Sequence, residues 1–112
     1  MYDLTTHVSR AGVVTLSKTL SNQLVKDNVL INTVCPGIIL ADRVDQVTQN
    51  MAQTRGISQE EALQVYVQPV PMGRPGQPAE FADLVMFLCS ERCTYITGTV
   101  TQIDGGLIKG YF

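Results

Sequence analysis

The hydrophobic pattern of the chain predicts two short strands separated by a long helical connection. Residues 29–34 form a nearly continuous apolar run, which is typical of a strand that is covered on both faces of a parallel sheet. Pro36 cannot donate a ladder hydrogen bond and Gly37 frees the backbone, so we expect the strand to end before them. Residues 99–103 alternate β-branched side chains and predict a second strand. Because the connection is long and helical, the two strands are expected to lie parallel.

The longest helical pattern runs from about residue 7 to residue 26, where apolar side chains recur at every third or fourth position. An Asp-Asn pair at positions 27 and 28 favours a turn and is expected to end this helix directly before the first strand. We expect the first half of the helix to be buried on more than one side. The apolar stripe consists of Val13, Leu16, Leu20 and Leu24, widened by Ala11, Gly12 and Val14.

Three further helices are predicted between the strands. Residues 42–53, capped by Asp42, and residues 58–67, opened by a capping box of Ser58 and Glu61, have narrow apolar faces. Such weakly held helices fit a lid over a site or, equally, a surface hairpin with no gating role. A proline-rich loop then leads to Pro78, which suits the first position of a helix to about residue 90. The predicted apolar faces are Val44, Val47 and Met51, then Ala62, Val65 and Tyr66, then Phe81, Leu84, Val85 and Leu88.

The composition is that of a globular protein and narrows the range of partners. The 112 residues, 45% apolar and 16% charged, allow one small domain or part of a larger one. A net charge of −2 with no basic patch argues against nucleic acid, and no apolar run reaches the ~18 residues of a membrane span. Three cysteines fit a reducing cytoplasm. Cys89 and Cys93 are spaced for a metal, but without a nearby histidine or third cysteine we favour two free thiols and no metal.

Four segments, in order and at matching separations, resemble the carboxyl-terminal half of the short-chain dehydrogenase/reductase family. The resemblance covers residues 9–106 and implies an α/β fold, in which two parallel strands with flanking helices are the last two strands of a doubly wound Rossmann sheet. It also implies that residues 1–112 are a partial NAD(P)-binding Rossmann-like domain whose amino-terminal, cofactor-binding half is absent. The four segments are SRAGVVTLSKTLSNQL, VLINTVCPGII, VPMGRPGQPAEFADLVMFLCSE and YITGTVTQIDGG.

The chemistry implied by the resemblance is hydride transfer between NAD or NADP and a small-molecule carbonyl or alcohol, including a 3-oxoacyl reductase-like reaction. In the family a tyrosine is the general acid or base, and a lysine four residues later lowers its pKa and holds the nicotinamide ribose. These positions fall on Thr6 and Arg10. A threonine hydroxyl is a far weaker acid, so we expect the acid function to be lost, whereas Arg10 keeps a positive charge for the ribose. His7 is either a substitute acid or an ordinary surface histidine.

The resemblance also implies a cofactor contact at the end of the first strand. The family places the Pro-Gly turn and the residues after it against the nicotinamide, which carries over to Pro36, Gly37 and Ile39. Ala41 stands where the family often has a threonine that bonds the cofactor, so that contact is lost. From the local sequence alone, a plain buried strand followed by a turn is the alternative interpretation.

Two hypotheses from different classes follow. The chain is either the carboxyl-terminal half of a cytoplasmic oxidoreductase with a divergent catalytic pair, or a non-enzymatic remnant or assembly module. Two parallel strands do not form a stable sheet alone, and their free edge is a template for pairing. We therefore expect the chain to associate with copies of itself or with the missing amino-terminal half. The isolated chain is expected to be inactive and to bind neither NAD nor NADP, because the helix N-terminus that cradles the phosphates is missing.

Overall fold

The computed structural model describes residues 4–109, and it forms two compact units. The first unit comprises Met1–Val34 and Val85–Thr101, and the second comprises Cys35–Leu84 and Gln102–Phe112. Both strands begin in the first unit and end in the second. The elements in chain order are α1 (Leu4–Leu24), a short 3₁₀ helix (Val25–Asp27), β1 (Thr33–Pro36), α2 (Asp42–Arg55), α3 (Gln59–Tyr66), α4 (Pro78–Leu88) and β2 (Val100–Ile103).

β1 and β2 pair with each other in a two-stranded sheet. In the first unit the Thr33 N–H donates to the Thr99 carbonyl at 2.9 Å, and in the second unit the Gly37 N–H donates to the Ile103 carbonyl at 2.8 Å. Both bonds join residues with the same separation along the chain, so the strands run in the same direction without a bulge between these bonds. The predicted parallel pairing is confirmed.

The bounds predicted for the first strand are wrong at both ends. Residues 29–32 lie outside β1 because their partners belong to a turn: the Ile31 N–H donates to Thr97 Oγ1 at 3.1 Å, and the Ile31 carbonyl accepts from the Gly98 N–H at 2.7 Å. Pro36 remains within β1 although it has no N–H. In a parallel pair alternate residues bond to the same neighbour, so the nitrogen of Pro36 faces away from β2 and no bond to β2 is lost.

α1 begins at Leu4, earlier than predicted, and ends at Leu24, slightly before the expected residue; the 3₁₀ helix continues the chain to Asp27, and the Asp-Asn pair ends that helix. Asn28 has a left-handed backbone (φ 59°), and its N–H donates to the Val25 carbonyl at 3.0 Å. The expectation of a buried first half is wrong, because the side chains of Val8 and Val13 are 66% and 59% exposed. Among the α1 residues whose side chains the structure describes, Ser21, near the end of the helix, is fully buried.

Side-chain hydrogen bonds hold the start of β2 in the first unit. Lys18 Nζ donates to the Gly98 carbonyl at 3.2 Å. The amide of Asn32 donates to the Ile96 carbonyl at 2.9 Å and accepts from both the N–H and the hydroxyl of Thr99, at 3.1 and 2.8 Å. Because few apolar side chains are buried here, these polar contacts set the position of residues 96–99.

In the second unit α2 and α3 form a helical hairpin. Gly56 ends α2 as predicted, with φ of 64°. The predicted capping box of α3 is confirmed: the Glu61 N–H donates to Ser58 Oγ at 3.1 Å, and the Ser58 N–H donates to the Glu61 carboxylate at 2.9 Å. The prediction of Asp42 as the cap of α2 is wrong. The extended residue before it, Ala41, is the N-cap, so Asp42 lies inside the first turn, where its charge still favours the helix end.

The buried centre of the second unit lies between these two helices and the segment after them. Thr48 is 2% exposed, its hydroxyl donates to the Val44 carbonyl at 2.8 Å and accepts from Gln59 Nε2 at 3.2 Å. The prediction is wrong at Val65, which is 39% exposed, because the chain turns after α3 and other valines are buried instead. The buried side chains are Val44, Thr48, Ala62, Val67, Val70 and Pro75.

α4 begins at Pro78, as predicted, and ends at Leu88, slightly before the expected residue. No residue of α4 is fully buried, and the predicted apolar face at Phe81, Leu84, Val85 and Leu88 is half-buried. Met86 on the same helix is 71% exposed. The spacing therefore identified the more buried face correctly but overestimated how far it is covered.

Candidate functional site

A cavity of about 310 Å³ lies in the second unit, at the carboxyl ends of the two strands. One part of its wall follows β1, a second part is the end of β2 and the turn after it, and a third part comes from the loop before α4. In open α/β sheets this end of the strands is where ligands bind. The cavity is lined by Ile38, Ile39, Met72, Arg74, Gly76, Glu80, Gln102, Ile103, Asp104, Gly105 and Gly106.

The turns that follow the two strands are in direct contact at Gly37. A Cβ placed on Gly37 would lie 2.6 Å from the Cβ and 2.7 Å from the Cα of Asp104. Carbon atoms in proteins do not approach that closely, so a side chain at Gly37 would force the two turns apart. The glycine after Pro36 is therefore required here by the closeness of the neighbouring turn.

The turn after β2 is held by the side chain of Asp104. Its two carboxylate oxygens accept from the N–H groups of Gly106 and Ile108, each at 2.9 Å. Gly105 has φ of 62°, a left-handed conformation that suits glycine, and its carbonyl accepts from the Met72 N–H at 3.1 Å. The Asp104 carboxylate thus holds the backbone of the turn, and the N–H of Met72 joins that turn to the loop before α4.

The segment after β1 is fixed by a short parallel bridge between Ile39 and Gly76. The Gly76 N–H donates to the Ile38 carbonyl and the Leu40 N–H donates to the Gly76 carbonyl, both at 2.9 Å. A Cβ on Gly76 would lie 2.6 Å from the Cδ1 atom of Ile39. The loop before α4 therefore packs closely against Ile39, on the wall of the cavity.

Arg74 and Glu80 form a two-bond ion pair at the same wall. Arg74 Nη1 and Nη2 donate to the two carboxylate oxygens of Glu80 at 2.9 and 2.8 Å, and the Gln77 N–H donates to Glu80 Oε2 at 2.7 Å. Arg74 Nη1 also donates to the Pro75 carbonyl at 3.1 Å. The hydrogen bonds from Arg74 and from the Gln77 N–H lower the pKa of Glu80 to about 2, and the bond to Glu80 raises the pKa of Arg74.

These bonds predict a specific pH dependence of stability. The pKa of Glu80 is about 2 when the chain is folded, against 4.5 for an unpaired glutamate carboxyl. The stabilisation is therefore complete above the unfolded pKa and is lost as the pH falls towards 2. Because the pair is exposed, we expect the wild type to melt only slightly above Glu80→Gln near neutral pH, and this small difference to vanish towards pH 2. An equal difference in melting temperature between wild type and Glu80→Gln near neutral pH and near pH 2 would contradict the lowered pKa of Glu80.

The structure separates the residues predicted from the sequence into two groups. Pro36, Gly37 and Ile39 lie in the second unit, and Ile39 lines the cavity. Thr6 and Arg10 lie in α1, in the first unit, one helical turn apart. The Arg10 side chain is exposed, and the side chain of Thr6 lies outside the described part of the structure. The roles assigned to these residues stay predictions.

The remaining predictions for the site concern His7, Ala41, the lid and the two cysteines. His7 is exposed on α1 and Ala41 directly precedes α2. Among the described residues that line the cavity, none belongs to α2 or α3, so the lid stays a prediction. Cys89 and Cys93 are free thiols, the first exposed and the second buried.

Within residues 4–109 no group of three or more histidine, cysteine, aspartate or glutamate side chains is placed to hold a metal ion. The helices in this same range are all too short or too polar to cross a membrane.

Three residues of the site were not predicted from the sequence. Arg74, Glu80 and Asp104 were not singled out, although two local signals were present. Glu80 is the third residue after Gln77, the spacing at which a helix residue bonds back to its cap, and Asp104 opens an Asp-Gly-Gly turn. The partner of Glu80 had no local signal, because Arg74 lies six residues before it, across two prolines and a glycine.

The family model described as enoyl-(acyl carrier protein) reductase matches residues 1–108. This chain, with its parallel strands and a cavity at their carboxyl ends, belongs to the short-chain dehydrogenase/reductase family. The predicted fold class is confirmed. The similar solved structures are Rossmann-fold proteins of that family, and the chain corresponds to part of that fold.

Several proteins of known activity are similar to the chain. The 3-oxoacyl-(acyl-carrier-protein) reductase FabG of Aquifex aeolicus is 38% identical over 99 residues, which are 88% of this chain and 36% of that protein. The NADPH-dependent reductase BacG of Bacillus subtilis is 36% identical over 94% of this chain and 40% of its own length. The crystal structure of L-sorbose reductase from Gluconobacter frateurii, complexed with NADPH and L-sorbose, has a TM-score of 0.92 at 32% identity, covering 98% of this chain and 42% of that one. The chain thus spans about two fifths of the length of these proteins.

Proposed function

We propose that a protein containing this chain as its carboxyl-terminal part is an NAD(P)-dependent oxidoreductase that transfers a hydride between the nicotinamide and a small-molecule carbonyl or alcohol. A 3-oxoacyl thioester is the first substrate class to test, because the similar FabG reductases act on such compounds by name. NADPH is the first cofactor to test, because it is named for BacG and for the L-sorbose reductase complex.

The observation that carries the proposal is the wall of the cavity after β1. Gly37 is in close contact with Asp104, and Ile39 is held by the backbone bridge to Gly76. The result is a fixed edge made of backbone and an aliphatic side chain, which fits a flat, weakly polar ring such as a nicotinamide. The described residues of the cavity fit that part of the cofactor, and the bound cofactor would supply or accept the hydride.

Each predicted site residue has a role in this proposal. Pro36, Gly37 and Ile39 contact the nicotinamide and fix which face of the ring is presented. The guanidinium of Arg10 donates hydrogen bonds to the ribose hydroxyls through its planar fork of N–H groups. Thr6 lies at the position of the proton donor, but an aliphatic hydroxyl transfers protons poorly near neutral pH. We therefore expect the proposed reaction to be slow, because the hydroxyl of Thr6 is an inefficient proton donor.

The alternative is a non-enzymatic assembly module, and one observation favours it. Apolar side chains of α1 are exposed, among them Leu4 at 78%, Val8 at 66% and Leu16 at 58%. An exposed apolar patch marks a surface that packs against another chain. The same observation fits a surface that packs against the amino-terminal part of an oxidoreductase, so self-association alone would not decide between the hypotheses. In both cases we place the protein in the cytoplasm, with no nucleic acid or membrane as partner.

The deciding experiment supplies the part of the enzyme that the chain does not contain. The whole chain is joined to the portion of the Aquifex reductase that precedes the matched residues, and the hybrid is titrated with NADPH by fluorescence or calorimetry. We expect saturable binding by the hybrid, because the phosphates then have a helix N-terminus to bind. We expect none by the isolated chain.

The controls of this experiment separate the two hypotheses. The Aquifex portion alone shows how much binding comes without this chain, and light scattering gives the size of the isolated chain in solution. A hybrid that folds but binds NADPH no better than the Aquifex portion alone would contradict the oxidoreductase proposal. If the isolated chain also formed a defined oligomer, the assembly module would be the better account.

A further inference from the structure

The loop before α4 reaches the cavity wall through a single glycine. Gly76 forms both backbone hydrogen bonds to the segment after β1, to the Ile38 carbonyl and from the Leu40 N–H. A side chain on Gly76 would push the end of Ile39 aside, because a Cβ would lie 2.6 Å from Cδ1 of Ile39. The position of Ile39 therefore depends on where the loop holds Gly76.

The Arg74–Glu80 ion pair encloses this glycine. Arg74 is two residues before Gly76 and Glu80 is four residues after it. Their two-bond contact closes the loop into a short ring, which the bond from Arg74 Nη1 to the Pro75 carbonyl tightens. Pro75 inside the ring is buried, and Glu80 also accepts from the Gln77 N–H at 2.7 Å. Every polar atom of the Glu80 carboxylate is thus used to fix residues that flank Gly76.

The geometry points to Arg74 and Glu80 as positioning residues: their ion pair sets the backbone bridge between Gly76 and the segment Ile38–Leu40, and so fixes the cavity wall at Ile39. The side chains of Arg74 and Glu80 are 49% and 44% exposed. Exposed ion pairs contribute little to global stability, whereas a two-bond arginine–carboxylate pair restricts geometry strongly. The pair therefore acts mainly on the order of the wall. Its consequence for cofactor binding rests on the proposed function, whereas its effect on the bridge does not.

The first test uses the chain as it is and needs no cofactor. Hydrogen exchange of the Leu40 and Gly76 amides is measured by NMR in the wild type, Glu80→Gln, Arg74→Lys and Glu91→Gln. Glu91 is exposed and belongs to the first unit, so its substitution removes the same charge without touching the ring. We expect exchange at both amides to be faster by about fivefold or more in Glu80→Gln. Arg74→Lys keeps the positive charge but loses the paired N–H donors of the guanidinium, so we expect an intermediate increase in the exchange rate.

Exchange at amides elsewhere distinguishes positioning from a general loss of stability. The capping box amide of Glu61 lies in the same unit but outside the ring, and we expect its exchange to stay within about twofold of the wild type. Uniformly faster exchange across the unit would overturn the inference, and so would unchanged exchange at Leu40 and Gly76. Faster exchange at these two amides in the Glu91 variant would overturn it as well.

The second test concerns the cofactor and uses the hybrid with the Aquifex portion. We expect Glu80→Gln to raise the KM for NADPH by about threefold to tenfold and to change kcat by less than about twofold, because the wall binds the ring but does not transfer protons. A fall in kcat at unchanged KM would contradict a positioning role. If no hybrid binds NADPH, the proposed function fails, and the amide exchange of the isolated chain still decides the inference.

Discussion

Replacing Gly37 with alanine is expected to lower the free energy of unfolding by about 1–3 kcal/mol, the usual cost of overpacking a close contact. The new Cβ would lie 2.6 Å from the Cβ and 2.7 Å from the Cα of Asp104. A backbone atom cannot rotate away as the end of a side chain can, and the Gly37 N–H is itself bonded to the Ile103 carbonyl. We expect the melting temperature, followed by circular dichroism, to fall by roughly 5–15 °C.

A matched control for this substitution lies in α1. Gly12 has no heavy atom within 4 Å of the position of its missing Cβ, so alanine fits there without a clash. Because alanine is the better helix former, Gly12→Ala is expected to stabilise the chain by about 0.5–1 kcal/mol. The same chemical change should thus have opposite signs at the two positions. A neutral or stabilising Gly37→Ala would show that the turns after β1 and β2 do not touch as described.

Most elements of the fold could be predicted because their signals are local. The capping box at Ser58, the helix end at Gly56 and the first helical position at Pro78 are each set by residues within one turn of the chain. The parallel pairing followed from the length of the connection, which is a property of the sequence order. These features depend little on what surrounds them, and the structure confirms them.

The errors have a common physical cause, which is the influence of partners remote in sequence. Residues 29–32 have the composition of a strand, but their backbone groups bond to the turn at Thr97 and Gly98. The apolar stripe of α1 has the right spacing, but spacing does not reveal whether another part of the protein covers it. Val13 belongs to that stripe and is nevertheless exposed. Hydrophobic periodicity predicts which face is apolar and leaves open how far it is buried.

The candidate site shows the same division. The Pro-Gly turn could be located from its residues, and Ile39 does line the cavity. The reason for glycine at position 37 could not be predicted, because the contact is with Asp104, which comes from the other end of the chain. The pairing of Arg74 with Glu80 depends in the same way on a loop whose path the sequence does not fix. The contacts of Gly37 with Asp104 and of Arg74 with Glu80 are therefore known from the structure and not from the sequence.

Restoring the catalytic pair is expected to have the largest effect on activity. In the hybrid with the Aquifex portion, Thr6→Tyr together with Arg10→Lys should raise the rate of NADPH-dependent 3-oxoacyl reduction by about 10²–10⁴-fold, the usual contribution of a positioned general acid. A phenol is a much stronger acid than an aliphatic hydroxyl, and a neighbouring ammonium lowers its pKa further. The two positions are one helical turn apart on α1. Oxidation of NADPH, followed by absorbance, measures the rate.

The matched control is Thr6→Phe with Arg10→Lys, which supplies the ring without the hydroxyl. If proton donation is what the chain lacks, this variant binds NADPH as well as the tyrosine variant but shows no comparable rise in kcat. The rate of the tyrosine variant should also depend on a titrating group that is absent from the phenylalanine variant, since only the phenol gains or loses a proton. Equal rates for the two variants would show that Thr6 does not lie where the proton is transferred. The assignment of the Thr6 and Arg10 positions would then be wrong. The cavity wall at Ile39 and the contact between Gly37 and Asp104 would be unaffected, because both rest on contacts within the second unit.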